Sequence, residues 1–177
     1  LDGKGGLEIA NAAPLATAKG FAVDFWVNFD TLEGGNLCAK DGEFMLRLDP
    51  PAEGNAIALF VNSGKSLEPR LRGGVPKPGT WYHLMASWDG TEMSLSVNEQ
   101  YYRQGKSGTL AATENPLLVG KACQYAPPLK GLLSEFRFFN RPIKLLLRRY
   151  GLDRDYTGVR AQGGRFDFSR GLGFTIF

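Results

Sequence analysis

The most regular stretch of the chain is Gly20–Phe29, GFAVDFWVNF. Phe21, Val23, Phe25, Val27 and Phe29 share one parity, and Ala22, Asp24, Trp26 and Asn28 share the other. Strict alternation with β-branched and aromatic residues on the apolar side predicts a strand, since a helix would scatter those five residues around its circumference. An apolar sheet face has to be covered, so this strand calls for a second layer. Similar segments recur at Gly6–Ala10, Asn36–Ala39, Glu43–Leu48, Ala56–Asn62, Ser66–Arg72, Trp81–Trp88, Met93–Val97, Pro116–Gly120 and Leu132–Asn140. Asp41-Gly42 and Asp89-Gly90 each separate two of them, and Asp-Gly between strand-like runs predicts a hairpin. Within LLSEFRFFN, Leu133, Phe136 and Phe138 do not share one parity, which predicts a β-bulge or a strand buried on both faces.

The pattern changes after Pro142. Residues 143–150, IKLLLRRY, read as a short helix stopped by Gly151. Residues 152–177 are rich in Gly and Arg and end in FTIF. They are expected to run irregularly and to finish in one or two strands paired with the preceding sheets. Many short strands separated by turn residues mean an all-β sandwich or barrel.

Composition narrows this further. With 177 residues, a single domain with a sizeable core is expected. Twenty-three glycines and ten prolines suit many turns better than many helices. No apolar run is long enough to span a bilayer, so a soluble chain is expected. The chain opens on Leu1 without an initiator Met or a signal sequence, as a processed protein or an excised domain would. The net charge of +3 is unevenly placed, because residues 141–177 carry a surplus of five positive charges while residues 1–140 stand at −2. A basic end suits an acidic glycan, a phosphate surface or a partner protein. Cys38 and Cys123 are compatible with one disulfide or with two buried thiols, and neither lies in a zinc-ligand spacing.

The segment Gly79–Asn98, GTWYHLMASWDGTEMSLSVN, resembles the signature hairpin of laminin-G-like, concanavalin A-like jelly-roll domains. In that family a G-T-W-x-H strand leads through a D-G turn into a strand ending in V-N/D-G. Trp81, His83, Asp89, Gly90, Val97 and Asn98 match, whereas Glu99 departs from the usual Gly. Pro116–Pro142 is similar to the family's closing pattern, G-x-I-D-E-x-R-x-x-N-R. Gly120, Gly131, Glu135, Arg137, Asn140 and Arg141 match it, and Ser134 replaces the usual Asp. Phe25-Trp26-Val27 is similar to the family's A-W-V strand and LEI to its first strand. The resemblance covers residues 1–150 and implies a two-sheet antiparallel jelly-roll sandwich; the basic Gly/Arg-rich segment over 151–177 has no counterpart in the family pattern and is expected to pack on the sandwich or on a partner. The fold hosts sugar binding, adhesion, catalysis and scaffolding alike.

The chemistry points away from catalysis. His83 is the only histidine and lies in no nucleophile motif, and no P-loop, G-x-S-x-G or H-E-x-x-H pattern occurs. Glycoside hydrolysis requires paired carboxylates, which the related glucanases supply as E-x-D-x-x-E on one strand. Asp24 stands alone on its strand, and the resemblance gives Glu135 a structural role. Calcium is the cofactor the fold suggests, with Asp2 and Asp167 as its candidate ligands. Asp41 and Asp89 are better explained as turn formers.

Sugar binding needs aromatic rings to stack against C–H faces and polar groups to fix hydroxyls. The resemblance places Trp26 and Trp81 at framework positions, where core packing is expected. That shifts the candidate ligand residues to Tyr101, Tyr102 and Arg103, read as loop, and to Tyr125 in the CQYAPP loop. The expected function is a non-catalytic carbohydrate-binding or adhesion module at the cell surface or outside the cell, with a glycan or glycoprotein partner. The alternative is a structural or assembly domain. Its protein contacts would run through Arg148, Arg149, Arg154, Arg160, Arg165 and Arg170. No recognition helix or RNA-binding motif supports a nucleic-acid partner.

Overall fold

A computed structural model describes residues 5–64, 66–110, 112–143 and 175–176. Two sheets pack face to face. The first runs in the order β1 (Leu7–Ile9), β10 (Leu117–Val119), β3 (Gly35–Lys40), β4 (Phe44–Leu48), β5 (Ile57–Val61) and β6 (Leu71–Arg72). The second contains β11 (Gly131–Phe139), β2 (Phe21–Phe29), β7 (Trp81–Trp88), β8 (Glu92–Val97) and β9 (Gln100–Gly105). All of these neighbours pair antiparallel, and the two residues Thr175–Ile176 (β12) add in parallel to the outer side of β11. The architecture is an all-β sandwich, one of the two classes the strand pattern allowed, and the two-sheet jelly roll that the resemblance implied.

The alternation in β2 is realised in full. Phe21, Val23, Phe25, Val27 and Phe29 are completely buried. They meet Phe44, Leu46, Leu48, Ile57, Leu59 and Val61 of the first sheet. Phe21 stacks on Phe44 at 4.0 Å between ring centroids, and Phe25 lies 5.6 Å from Phe136. Both Asp-Gly turns close hairpins, joining β3 to β4 and β7 to β8. The Asp89 carboxylate accepts bonds from Thr91 N, Thr91 Oγ and Glu92 N. Burial pushes that carboxyl upward, but the Thr91 and Glu92 bonds outweigh it and hold the group below the usual range.

The parity break in the last long strand is a bulge. The register between β11 and β2 slips between Ser134 and Arg137, with Glu135 at φ 53°. One extra residue resets the alternation, so Leu133, Phe136 and Phe138 all pack toward the core. At the start of the same strand, Gly131 takes φ 150°, and a Cβ there would lie 2.1 Å from the Asn28 carbonyl oxygen. Only a residue without a side chain lets β11 approach β2 so closely.

Cys38 is fully buried in the main core, and Cys123 packs on the opposite side of the first sheet, its Sγ 3.6 Å from Met45 Sδ. Both are free thiols. The helix expected over 143–150 except for Ile143, the boundary at residue 150 and the arginines at 148, 149, 154, 160, 165 and 170 lie outside the described residues.

Candidate functional site

The outer face of the second sheet is built by β2, β7 and β11, whose registers line up in four rows. The first row holds Leu132, Asn28 and Trp81, and the second Ser134, Trp26 and His83. The third holds Arg137, Asp24 and Met85, and the fourth Phe139, Ala22 and Ser87. The two halves of this face differ sharply. Asp24, Met85, Ala22, Ser87 and Phe139 are buried, and the Ile143 backbone N–H donates to Ser87 Oγ at 3.0 Å. At the other end Trp26 is 38% exposed, Trp81 42% and Leu132 52%.

This corrects the expectation that Trp26 and Trp81 pack in the core. Both have the outward parity of their strands, and of the three tryptophans only Trp88 is interior, its indole N–H donating to Lys106 O at 2.8 Å. Residues directly opposite across an antiparallel pair sit about 5 Å apart and diagonal ones roughly 7–8 Å apart. Asn28 pairs with Trp81 and Trp26 pairs with His83, so the two indoles are diagonal neighbours.

A polar row braces this platform. His83 Nε2 lies 2.5 Å from Asp24 Oδ1, and its ring packs against Trp26 at 5.0 Å between centroids. Arg137 donates from Nη1 to Asp24 Oδ2 at 3.2 Å and from Nη2 to Glu135 Oε2 at 3.0 Å. The Asp24 side chain is only 3% exposed, so its charge is held by two partners from neighbouring strands. The bulge at Glu135 brings that carboxylate and Arg137 together. Asp24 is therefore not isolated. Its partners stand 59 and 113 residues away, and only the shared outward parity of Asp24 and His83 hinted at the pairing.

The tyrosine candidates are redistributed. Residues 101–103 are not loop: they form β9, because Asn98 (φ 44°) and Glu99 (φ 70°) make a two-residue turn after β8. Positive φ at both central residues marks the primed hairpin turns, in which glycine is usual at the position that Glu99 fills. Tyr102 points inward against the core, its hydroxyl donating to Gln100 Oε1 at 2.9 Å. Tyr101 and Arg103 share the outer face with the tryptophans, since Tyr101 pairs with Ser96 and Ser96 with Met85. Burial raises the Tyr101 phenol above its ordinary value, with a Ser94 hydrogen bond working the other way. Arg103 Nε donates to Glu92 Oε1 at 2.6 Å.

Tyr125 is exposed but lies in a turn against the first sheet, where Arg47 Nη1 donates to its carbonyl at 2.9 Å. The structure therefore does not gather Tyr101, Tyr102 and Tyr125 into one cluster. Around Arg47 lies an ionic network the sequence reading missed. Arg47 Nε donates to Asp49 at 2.8 Å and Nη2 to Glu53 at 2.7 Å, while Arg70 donates to both carboxylates. The two guanidiniums lie 4.7 and 4.8 Å from the Phe60 ring centroid. Asp49 is completely buried, so this network fastens the 50–55 and 66–70 loops to the sheet.

Asp2 and Asp167, the expected calcium ligands, lie outside the described residues. Among the described residues no three His, Cys, Asp or Glu side chains form a metal-binding group. Asp41 Oδ1 accepts from Gln124 N at 3.2 Å.

Solved structures share this architecture. Domain 4 of AbnA, a GH43 extracellular arabinanase from Geobacillus stearothermophilus, in complex with arabinotriose, aligns with a TM-score of 0.62 at 22% identity, covering 81% of this chain and 70% of that one. Domains LG4-5 of the mouse laminin alpha1 chain align at 0.60 and 14% identity, covering 80% of this chain but 43% of theirs. The native heptameric SAP-like pentraxin from Limulus polyphemus aligns at 0.56 and 15% identity, covering 81% and 80%. The chain thus spans less than half of the laminin fragment. No curated protein sequence matches it. Residues 1–145 match the laminin G model of the concanavalin A-like lectin/glucanases superfamily, and the chain belongs to that family.

Proposed function

We propose that this chain is a non-catalytic carbohydrate-binding module acting outside the cell or at its surface, with the Trp26–Trp81 platform as its contact face. The observation that carries the reading is the pair of exposed indoles at diagonal positions on one sheet face, with a locked polar row beside them. Large aromatic rings are normally withdrawn from water, and exposed rings carried on paired strands are what stacking against a sugar's C–H face requires. His83 fixes Trp26 from the side, and Asp24 and Arg137 fix His83 and the bulge. The carboxylates nearest the platform are engaged with Arg137, which suits a binding surface more than acid–base chemistry. The bound arabinotriose of the arabinanase domain supports a glycan partner for this fold.

The test is retention on polysaccharide-containing native gels. Wild-type protein is expected to be retarded by at least one polysaccharide, and Trp26→Ala and Trp81→Ala to migrate freely with unchanged urea midpoints. Retardation undiminished in both variants would show that the sugar binds elsewhere.

A further inference from the structure

The charge and shape of the platform narrow the ligand class, on the footing that the platform is the contact face proposed above. We infer that it takes the middle of a neutral glycan chain, spanning at least two consecutive sugar units, rather than an acidic glycan or a single terminal sugar.

The outward ionisable groups on the three strands beside the rings are Asp24, His83, Glu135 and Arg137. Asp24 lies between His83 and Arg137, and Arg137 also holds Glu135. That leaves two carboxylates against one guanidinium and one imidazole. Beyond the first row, Asp30 N donates to Lys130 O at 3.1 Å, which places an acidic and a basic residue together at the strand ends. Among the described residues of these strands the one guanidinium, Arg137, is engaged by Asp24 and Glu135, whereas recognition of sulfate or carboxylate groups depends on an uncommitted cation. A polyanion approaching this surface meets Glu135, 38% exposed, before it meets Arg137, 15% exposed.

Trp81 and Trp26 project from adjacent antiparallel strands on one open face, with Leu132 extending the apolar surface across Asn28. With 38% and 42% of Trp26 and Trp81 open to solvent, the rings form part of an exposed face, which suits passage of a chain more than enclosure of its end. Two diagonal indoles present more stacking area than one sugar ring fills. Asn28 and Ser134 lie beside Trp26 on this face, and neither side chain makes a hydrogen bond among the described residues, so their amide and hydroxyl groups are available to sugar hydroxyls.

The experiment is calorimetric titration with neutral polysaccharides (arabinan, xylan, mixed-linkage glucan, mannan), their trisaccharides and monosaccharides. Heparin and polygalacturonate provide the acidic arm, at about 50 and 300 mM salt. The expected result is binding of at least one neutral chain, kept by its trisaccharide, at least about tenfold weaker for the monosaccharide, and insensitive to salt. Trp26→Ala and Trp81→Ala should each weaken it by about tenfold, with Tyr125→Ala beside the other sheet neutral. Binding confined to heparin or polygalacturonate, lost with salt and with Trp26→Ala, would overturn the neutral-chain inference and leave the platform standing. Equal affinity for monosaccharide and trisaccharide would overturn the two-unit span alone. Binding untouched in both tryptophan variants, or absent for every glycan, would overturn the platform reading and this inference with it.

Discussion

Glu43→Gln provides a measurement of how strongly one buried charge pair holds three parts of the chain together. The Glu43 and Lys40 side chains are 0% and 2% exposed, and Lys40 Nζ donates to Glu43 Oε1 at 2.7 Å. The same carboxylate accepts from Thr113 N at 2.7 Å and Thr113 Oγ at 2.8 Å, and from the Thr17 hydroxyl. Gln keeps the shape and an acceptor oxygen but removes the charge, which leaves the Lys40 ammonium with neutral acceptors alone, the new amide oxygen and Thr113 O 3.0 Å away. Breaking a buried pair from one side costs about 3–5 kcal/mol, because the surviving ion has left water without compensation. With a urea slope of about 2 kcal/mol per molar, the midpoint should fall by roughly 1.5–2.5 M. The double variant Lys40→Met/Glu43→Leu removes both charges. Its cost is chiefly the two threonines' lost acceptor, about 1 kcal/mol each, so it should be more stable than the single variant. Equilibrium urea unfolding followed by tryptophan fluorescence reads both. A Glu43→Gln loss under about 1 kcal/mol, or a double variant less stable than the single, would refute the argument from uncompensated charge.

Two further outcomes follow from the structure. Gly131→Ala would force a Cβ to within 2.1 Å of the Asn28 carbonyl at a φ of 150°, so the β11–β2 register must shift. A loss of at least about 2 kcal/mol is expected by urea unfolding, with glycan retention reduced, and a midpoint equal to wild type would contradict the close approach. Glu53 is lowered from the ordinary glutamate value, first by its hydrogen bond from Arg70 and then by the charges of Arg47, Arg70 and Arg72, with burial opposing. A depressed folded-state value contributes stability that is present above about pH 4.3 and lost as pH falls through the folded value. Wild type should therefore lose more stability than Glu53→Gln on going from pH 7 to pH 3, and equal losses in both proteins would count against the network.

The strands were legible because side-chain alternation is a local property: β2 and β7 can be found from their own residues, and so can the inward face of β2. Family motifs supplied the register of the Gly79–Asn98 hairpin and the identity of Gly131, but not the reason for that glycine, which is the Asn28 carbonyl from a distant strand. The β9 strand was missed because its turn, Asn98-Glu99, carries Glu where the usual sequence signal is glycine. Outward parity could be read for Trp26, Asp24 and His83 alike, yet whether an outward residue is exposed depends on what crosses above it. Trp26 and Trp81 stand in the open half of the face and Met85 in the covered half, although all three have the same local pattern. The Asp24–His83–Arg137 row required strands far apart in sequence to be aligned residue by residue, and the Arg47–Asp49–Arg70 network required loops to fold back over the first sheet. Alternation decides which side of a strand a residue takes, whereas cross-strand register and chain crossings decide its neighbours, and the platform is made of neighbours.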